Sequence, residues 1–336
     1  MTTWIRESEQ SWIHKFCQAV LKTGPIPKHV AFIMDGNRRF ASKRSIDRAQ
    51  GHLMGFDKLA ETLEWCNNIG ISEVTVYAFS IENFKRSKEE VDGLMELARL
   101  KFTKLMEEKE LLNKHGVCIR VLGNLSLLPH DIQQIVADAM NMTKNNNRAV
   151  LNVCFAYTAR EEICSAMRDI AEGVDLGLIR ESDISESVME KCLYTRKSPH
   201  PDILVRTSGE VRLSDFLLWQ TTYSCLSFVR VLWPEFSIWH LYAGILQYQR
   251  NYQVIQNAIQ DNKVKREMSQ RQSDVECCRV ELLKTEEESI TQHQVNEYSM
   301  QREKRIKTFL GHVEQKREQL LSKFEERVTY PLLQSS

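Results

Sequence analysis

The chain has 336 residues, room for one large or two ordinary domains around a substantial core. Lys plus Arg and Asp plus Glu balance at 45 each, which excludes a global field that attracts nucleic acid and requires any anion site to be a local cluster. Nine cysteines without a Cys-x-x-Cys pair point to reduced thiols in a cytosol-facing protein, and away from a disulfide framework or a zinc site.

No window approaches the ~18 uninterrupted apolar residues of a membrane span, and the first residues lack the apolar core of a signal peptide. Trp4, Ile5, Trp12, Ile13, Phe16 and Val20 fall instead on roughly one face of an amphipathic helix within residues 1–27. Such a helix either packs on its own domain or touches lipid. Pro25 and Pro27 close the segment, and a domain expected over residues 28–248 follows. Short β-branched-rich runs recur at Val30–Met34, Val74–Phe79, Val117–Leu122, Val150–Tyr157, Ile203–Val205 and Leu226–Leu232. Between them, Ser87-Lys-Glu-Glu90 reads as a capping box opening a long helix, Pro129 starts another, and Ala159–Gly177 forms a third. This alternation predicts an α/β fold, a central mainly parallel sheet of about six strands flanked by helices. Residues 249–336 are polar and highly charged, with sparse apolar positions such as Val280, Leu282, Leu283, Ile306, Phe309 and Leu310. They read as a long C-terminal helical extension, turning near Glu286–Gln292, that is either a solvated end or a surface for subunit assembly.

The chemistry concentrates where strands end. His29-Val-Ala-Phe-Ile-Met-Asp35-Gly-Asn-Arg-Arg-Phe40 is a buried strand that delivers a carboxylate, a tight turn and two arginines to one point. A carboxylate for Mg²⁺, backbone N–H groups at a helix start and guanidinium forks are what a diphosphate needs, although Asp-Gly-Asn alone is equally an ordinary loop. Arg48-Ala-Gln-Gly-His52 can set a cation and an imidazole over the same anion. Tyr77-Ala-Phe-Ser80-Ile-Glu82-Asn83-Phe84-Lys-Arg86 ends the second strand with polar groups beside aromatics. Pro201-Asp-Ile-Leu-Val-Arg206-Thr-Ser208-Gly-Glu210-Val-Arg212-Leu-Ser214 brings two more arginines and hydroxyls to a later strand end, and Trp219 lies in apolar bulk beyond it. Each has a plainer alternative: His52 a core histidine, Ser80 a helix cap, Glu82 a surface charge, Trp219 core. Two arginine-rich strand ends suit two phosphate-bearing substrates. Neither Gly-x-Gly-x-x-Gly nor Gly-x₄-Gly-Lys-Ser/Thr occurs, which disfavours a nucleotide-binding domain.

These segments, in this order and over roughly Lys28–Pro234, resemble the cis-prenyltransferases, the undecaprenyl and dehydrodolichyl diphosphate synthases. Asn37-Arg-Arg-Phe40, where bacterial members carry Asn-Gly-Arg-Trp, is similar to the eukaryotic dehydrodolichyl branch. The resemblance implies a catalytic subunit that condenses isopentenyl diphosphate in cis onto farnesyl diphosphate, making polyprenyl diphosphate for dolichol and protein glycosylation. By the same resemblance Asp35 binds Mg²⁺ at the primer diphosphate, which Gly36, Asn37, Arg38 and Arg39 cradle, with Arg48 and His52 in the same region. Ser80, Glu82, Asn83 and Arg86 serve the substrates beside it, and Arg206, Arg212 and Ser214 form the isopentenyl diphosphate pocket. Asn37 or a phosphate oxygen removes the proton. The growing chain needs a dry tunnel, for which the helix bearing Leu94, Leu97, Phe102 and Leu105 is one wall or simply core. The Asp-Asp-x-x-Asp runs of trans-prenyltransferases are absent.

Two departures from the family stand out. Bacterial members carry a metal-binding glutamate where this chain has Cys225, and a thiol is a poor ligand for a hard cation. Homodimeric members end with Arg-x-Gly, whereas after Pro234 the only glycines are Gly244 and Gly311, preceded two positions earlier by Tyr242 and Phe309. The resemblance then implies a partner of the Nogo-B receptor type, a membrane-anchored homologue supplying Arg-x-Gly, in a heterotetramer held peripherally at the cytosolic face of the endoplasmic reticulum. A non-catalytic scaffold subunit is the alternative, and retention of Asp35, Arg38, Arg39, Arg206, Arg212 and Ser214 argues against it.

Overall fold

The computed structural model describes Trp4, residues 10–282 and residues 290–325. These fall into two compact units, one within Met1–Ala159, His200–Tyr252 and Gln319–Ser336, the other within Arg160–Pro199 and Gln253–Glu318. The division therefore departs from the expected boundary at residue 248, because residues 160–199 group with the C-terminal helices and not with the sheet.

The first unit is built on six strands: β1 (His29–Ile33), β2 (Glu73–Ser80), β3 (Val117–Leu122), β4 (Ala149–Tyr157), β5 (Ile203–Arg206) and β6 (Cys225–Phe228). They form one all-parallel sheet in the order β3-β4-β2-β1-β5-β6. Every residue of β1 is buried, as a central strand flanked on both sides requires, and this explains its unbroken apolar run. The chain leaves β1 toward β2 but later returns to its other side as β5, so strand order reverses there. Crevices at such reversals, beyond the carboxyl ends of the strands, are where open α/β sheets bind ligands.

Helices α1 (Trp12–Leu21), α2 (Asn37–Arg44), α3 (Arg48–Ile69), α4 (Lys88–Glu107), α5 (Lys109–His115) and α6 (His130–Thr143) complete most of this unit. Ser87 caps α4 by accepting the Glu90 N–H at 3.4 Å, and α3 stops at Gly70, whose φ of 101° only glycine adopts freely. β6 is shorter than the expected Leu226–Leu232. Past Phe228 the Val229 and Val231 carbonyls accept the N–H groups of Gly209 and Ser208 at 2.9 and 2.7 Å, so this stretch braces the loop after β5. The single face expected from Trp4 to Val20 does not form, and Ile5 lies outside the described residues. Trp4 is buried alone, its indole N–H donating to the Lys101 carbonyl at 2.9 Å and its ring edge-on to Phe56. On α1, Trp12, Ile13, Phe16 and Val20 are exposed while Gln18 and Leu21 are buried. A cavity of about 280 Å³ lies at the amino ends of β2, β3 and β4, lined by Trp4, Cys66, Val74, Leu112, Ile119 and Leu151 among others. Its walls come from α3 and α5, not from the α4 residues expected to line a tunnel.

The second unit contains α7 (Ala159–Asp175) from its second residue, α8 (Glu186–Cys192), α9 (Ile238–Leu282) from Gln253 onward, and α10 (Gln292–Glu325) to Glu318. The helical extension is as expected, and the turn expected near 286–292 lies mostly outside the described residues. Charges hold the helices in register. Arg305 donates to both oxygens of the fully buried Asp183 at 2.8 and 2.7 Å, and Arg302 pairs with buried Asp274 at 2.9 Å. Phe309, fully buried, lies so close to Gly173 that a β-carbon there would sit 2.4 Å from the ring. Gly173→Ala should therefore destabilise the protein by about 1–3 kcal/mol, against the usual helix preference for alanine. Denaturant unfolding checks this, and adding Phe309→Leu should recover part of the loss.

Candidate active site

Parallel pairing sets the site. Ile33 of β1 stands beside Arg206 of β5, so the residues just past both strands meet. Arg206 Nη2 donates to Asp35 Oδ2 at 2.9 Å, and its Nη1 donates to Ser214 Oγ at 2.6 Å and to the Arg212 carbonyl. The Arg206 residue is only 3% exposed, and its Nε has no hydrogen-bond partner among the described residues. Arg206 thus organises the loop to Ser214 and fixes Asp35. Burial alone would raise the Asp35 carboxyl. The hydrogen bond and charge of Arg206, helped by Ser208 and Arg39, hold it below its ordinary value instead.

Gly36 follows with φ 108°, and a β-carbon there would meet the Leu232 side chain at 2.9 Å, so both backbone and space demand glycine. Asn37 opens α2, its Nδ2 reaching the Met34 carbonyl at 3.4 Å and its buried Oδ1 without a partner among the described residues. Gly55 of α3 lies against that amide, where a β-carbon would come within 2.4 Å.

The arginines divide into two groups. Arg38, Arg48 and Arg86 converge on the Glu90 carboxylate at 3.7, 3.4 and 2.8 Å. His52 lies in the same group. Burial first, then the charges of Arg86 and Arg38, push its imidazole below the ordinary value against the opposing charge of Glu90. Arg39 belongs with the β5 loop, donating to Ser208 Oγ at 2.5 Å and lying 3.9 Å from Glu210, which also pairs with Arg212. The loop is backbone-strained, with Ser208, Ser214, Asp215 and Leu217 all at positive φ. Ser80, Glu82 and Asn83 do something else. Ser80 Oγ accepts the Glu82 N–H at 3.2 Å, Asn83 Oδ1 accepts the Ser80 N–H at 3.0 Å, and Glu82 pairs with Lys85. They cap the short 3₁₀ turn Ile81–Lys85 that delivers Arg86. Ser208, Glu210 and Glu90 were not singled out as site residues from sequence. The first two lie inside the Pro201–Ser214 motif, and Glu90 is disguised as a capping residue.

Comparison with known proteins decides the family. The sequence family described as putative undecaprenyl diphosphate synthase matches residues 33–255. The chain is a cis-prenyltransferase. A human protein named as a dehydrodolichyl diphosphate synthase complex subunit is 56% identical over 326 residues, 96% of this chain and 98% of its own. A tritrans,polycis-undecaprenyl-diphosphate synthase of Pyrococcus abyssi is 50% identical over 64% of this chain and 81% of its own. Lavandulyl diphosphate synthase from Lavandula x intermedia, solved with dimethylallyl diphosphate, matches at TM-score 0.63 and 33% identity over 66% of this chain and 95% of its own. Membership makes this chain a transferase that synthesises polyprenyl diphosphates.

The residues fit Mg²⁺ in a particular way. Among the described residues no three His, Cys, Asp or Glu side chains gather to hold a metal, so Asp35, about one-third exposed and held ionised, would be the one protein carboxylate. Mg²⁺ bound through one carboxylate plus substrate phosphates suits that arrangement. Cys225 does not enter it. Ile203 pairs with Cys225 and Arg206 with Phe228, so within this chain Cys225 lies three residues along the strands from the Asp35 end. Replacing Arg206 tests the pair. Asp35 now contributes stability fully above its unfolded value of about 3.9 and loses it as pH falls through its lower folded value. In Arg206→Gln burial dominates and the carboxylate becomes a cost at neutral pH. The variant should be destabilised at pH 7 and regain part of the loss toward pH 5 in urea unfolding. Arg206→Gln with Asp35→Asn should show no such recovery.

Proposed function

We propose that this chain is the catalytic subunit of a dehydrodolichyl diphosphate synthase complex, extending farnesyl diphosphate with isopentenyl units in cis. One observation carries the reading: two separate arginine groups, around Glu90 and around Glu210, flank the Asp35 carboxylate at the β1/β5 strand ends. Arg38, Arg48 and Arg86 with the amide groups opening α2 bind the primer diphosphate, and Arg39 lies between them and the second pocket. Arg212 and the Ser214 loop, set by Arg206, bind the diphosphate of the isopentenyl unit. Mg²⁺, when bound at Asp35, supplies charge neutralisation on the departing pyrophosphate. The C1–O bond of the primer breaks as the homoallylic double bond attacks C1, and a proton leaves to give the new cis double bond. Asn37, whose buried Oδ1 has no hydrogen-bond partner among the described residues, or a phosphate oxygen takes that proton. The prenyl chain extends toward the cavity at the opposite ends of β2–β4, along its apolar wall of Val74, Leu112, Ile119 and Leu151.

The chain lacks Arg-x-Gly, and its 56%-identical human relative is named as a subunit of a complex. Both support a membrane-anchored partner of the Nogo-B receptor type that completes the phosphate site, with peripheral placement at the endoplasmic reticulum. No helix among the described residues is long and apolar enough to cross a membrane, and the exposed Trp12, Ile13, Phe16 and Val20 of α1 suit an interfacial contact. Incorporation of radiolabelled isopentenyl diphosphate tests the reading. Arg38→Ala should raise KM chiefly for the farnesyl substrate and Arg212→Ala chiefly for isopentenyl diphosphate, each by roughly one to two decades in kcat/KM. Loss of the same substrate in both variants contradicts the two-pocket assignment. Adding the partner should raise turnover sharply, and mutating its Arg-x-Gly arginine should cancel the gain without separating the subunits. Full synthesis by this chain alone, unchanged by partner, would return the site to an ordinary homodimer.

A further inference from the structure

Glu90 is the least expected member of the site. Its side chain is 9% exposed, yet it sits beneath three guanidinium groups that are 54% (Arg38), 67% (Arg48) and 26% (Arg86) exposed. Those arginines come from α2, from the first turn of α3 and from the turn before α4. Among the described residues Glu90 is the only carboxylate within ion-pair distance of any of them. Three like charges drawn together without it would repel one another. The capping role is already met by the backbone N–H of Glu90, so its side chain is left for the arginines.

We propose that Glu90 is a resident competitor for the primer-diphosphate cradle. It gathers Arg38, Arg48 and Arg86 when no diphosphate is bound, and it takes them back as a diphosphate leaves. This rests on the reading of those arginines as that cradle. Each condensation leaves free pyrophosphate there, and the lengthened diphosphate in the other pocket. A further round requires the cradle to empty. Tight binding of ground-state pyrophosphate gives no rate advantage in such a cycle and delays the next addition. A carboxylate that re-forms its ion pairs as the anion departs lowers that affinity while leaving the guanidinium groups arranged for the incoming diphosphate. Glu90 is thus a positioning residue, acting on substrate only through the arginines.

Calorimetric titration of the full chain with inorganic pyrophosphate in EDTA, which removes Asp35-bound metal from the comparison, tests the inference. Glu90→Gln should bind pyrophosphate about tenfold more tightly than the wild type. Its multiple-turnover time course should show a burst of one condensation followed by a slower steady state, because departure of pyrophosphate becomes the slow step. Glu90→Asp, whose carboxylate is drawn back by one methylene, should fall between the two, and it carries the test if the glutamine variant does not fold. Unchanged or weaker pyrophosphate binding in folded Glu90 variants overturns the inference and leaves Glu90 a structural counter-ion. Absence of pyrophosphate binding by the wild-type chain instead removes the cradle reading itself, and this inference with it.

Discussion

The buried contact between Arg206 and Asp35 is the one on which the rest of the site depends. A guanidinium at 3% exposure is tolerable only if its charge is met, and Asp35, Ser214 and the Arg212 carbonyl together take up its two Nη groups. Because β1 and β5 are parallel neighbours, their carboxyl ends place both partners at one level. The consequences run outward. Asp35 stays ionised despite burial, the loop to Ser214 is pinned through left-handed residues, and Asp35's own carbonyl accepts from Thr207 and Trp233 at 2.7 and 3.0 Å. Trp233 in turn donates its indole N–H to the Gly55 carbonyl at 2.7 Å, beside the glycine surface that Asn37 occupies.

A site that gathers several arginines must offset their mutual repulsion within the fold. The chain balances its arginines with its own carboxylates at two points, Glu90 for one group and Glu210 for the other. This local compensation lets arginines cluster in a protein with equal numbers of acidic and basic residues. It also separates the two arginine groups, because each carboxylate gathers its own set, with the adjacent Arg38 and Arg39 divided between them.

The two ends of the sheet carry different chemistry. Ionic groups sit at the carboxyl ends of β1, β2 and β5, where helix amides and loops converge. A cavity lined partly by apolar side chains, among them Trp4, Val74, Leu112, Ile119 and Leu151, lies at the amino ends of β2, β3 and β4. With β2 eight residues long, the two are roughly 20–25 Å apart, which suits a reaction whose product is charged at one end and hydrocarbon along its length. In the helical unit, buried Asp183–Arg305 and Asp274–Arg302 pairs set which faces meet, and a dry seam alone would discriminate registers less well.

Local signals in the sequence determined the α/β class, the position of five strands within a residue or so, the start of α4 at Ser87, and the segments that carry Asp35, Arg38, Arg39, Arg206 and Ser214. Each depends on short-range rules: apolar runs for buried strands, caps and glycines for helix ends, turn residues past a strand. Tertiary structure alone decided the rest. Residues 229–232 leave β6 because the loop after β5 claims their carbonyls, a contact between separated segments. Residues 160–199 group with helices far along the chain because buried charge pairs meet there. Glu90 looked like a cap because position relative to Ser87 is visible in sequence, whereas the approach of three arginines from three elements is not. The residue type of Arg206 is visible in sequence, whereas its burial and its pairing with Asp35 are not. Residue identity sets what a group can bind, but which partner it meets is settled by long-range packing and desolvation, and neither is encoded in local spacing.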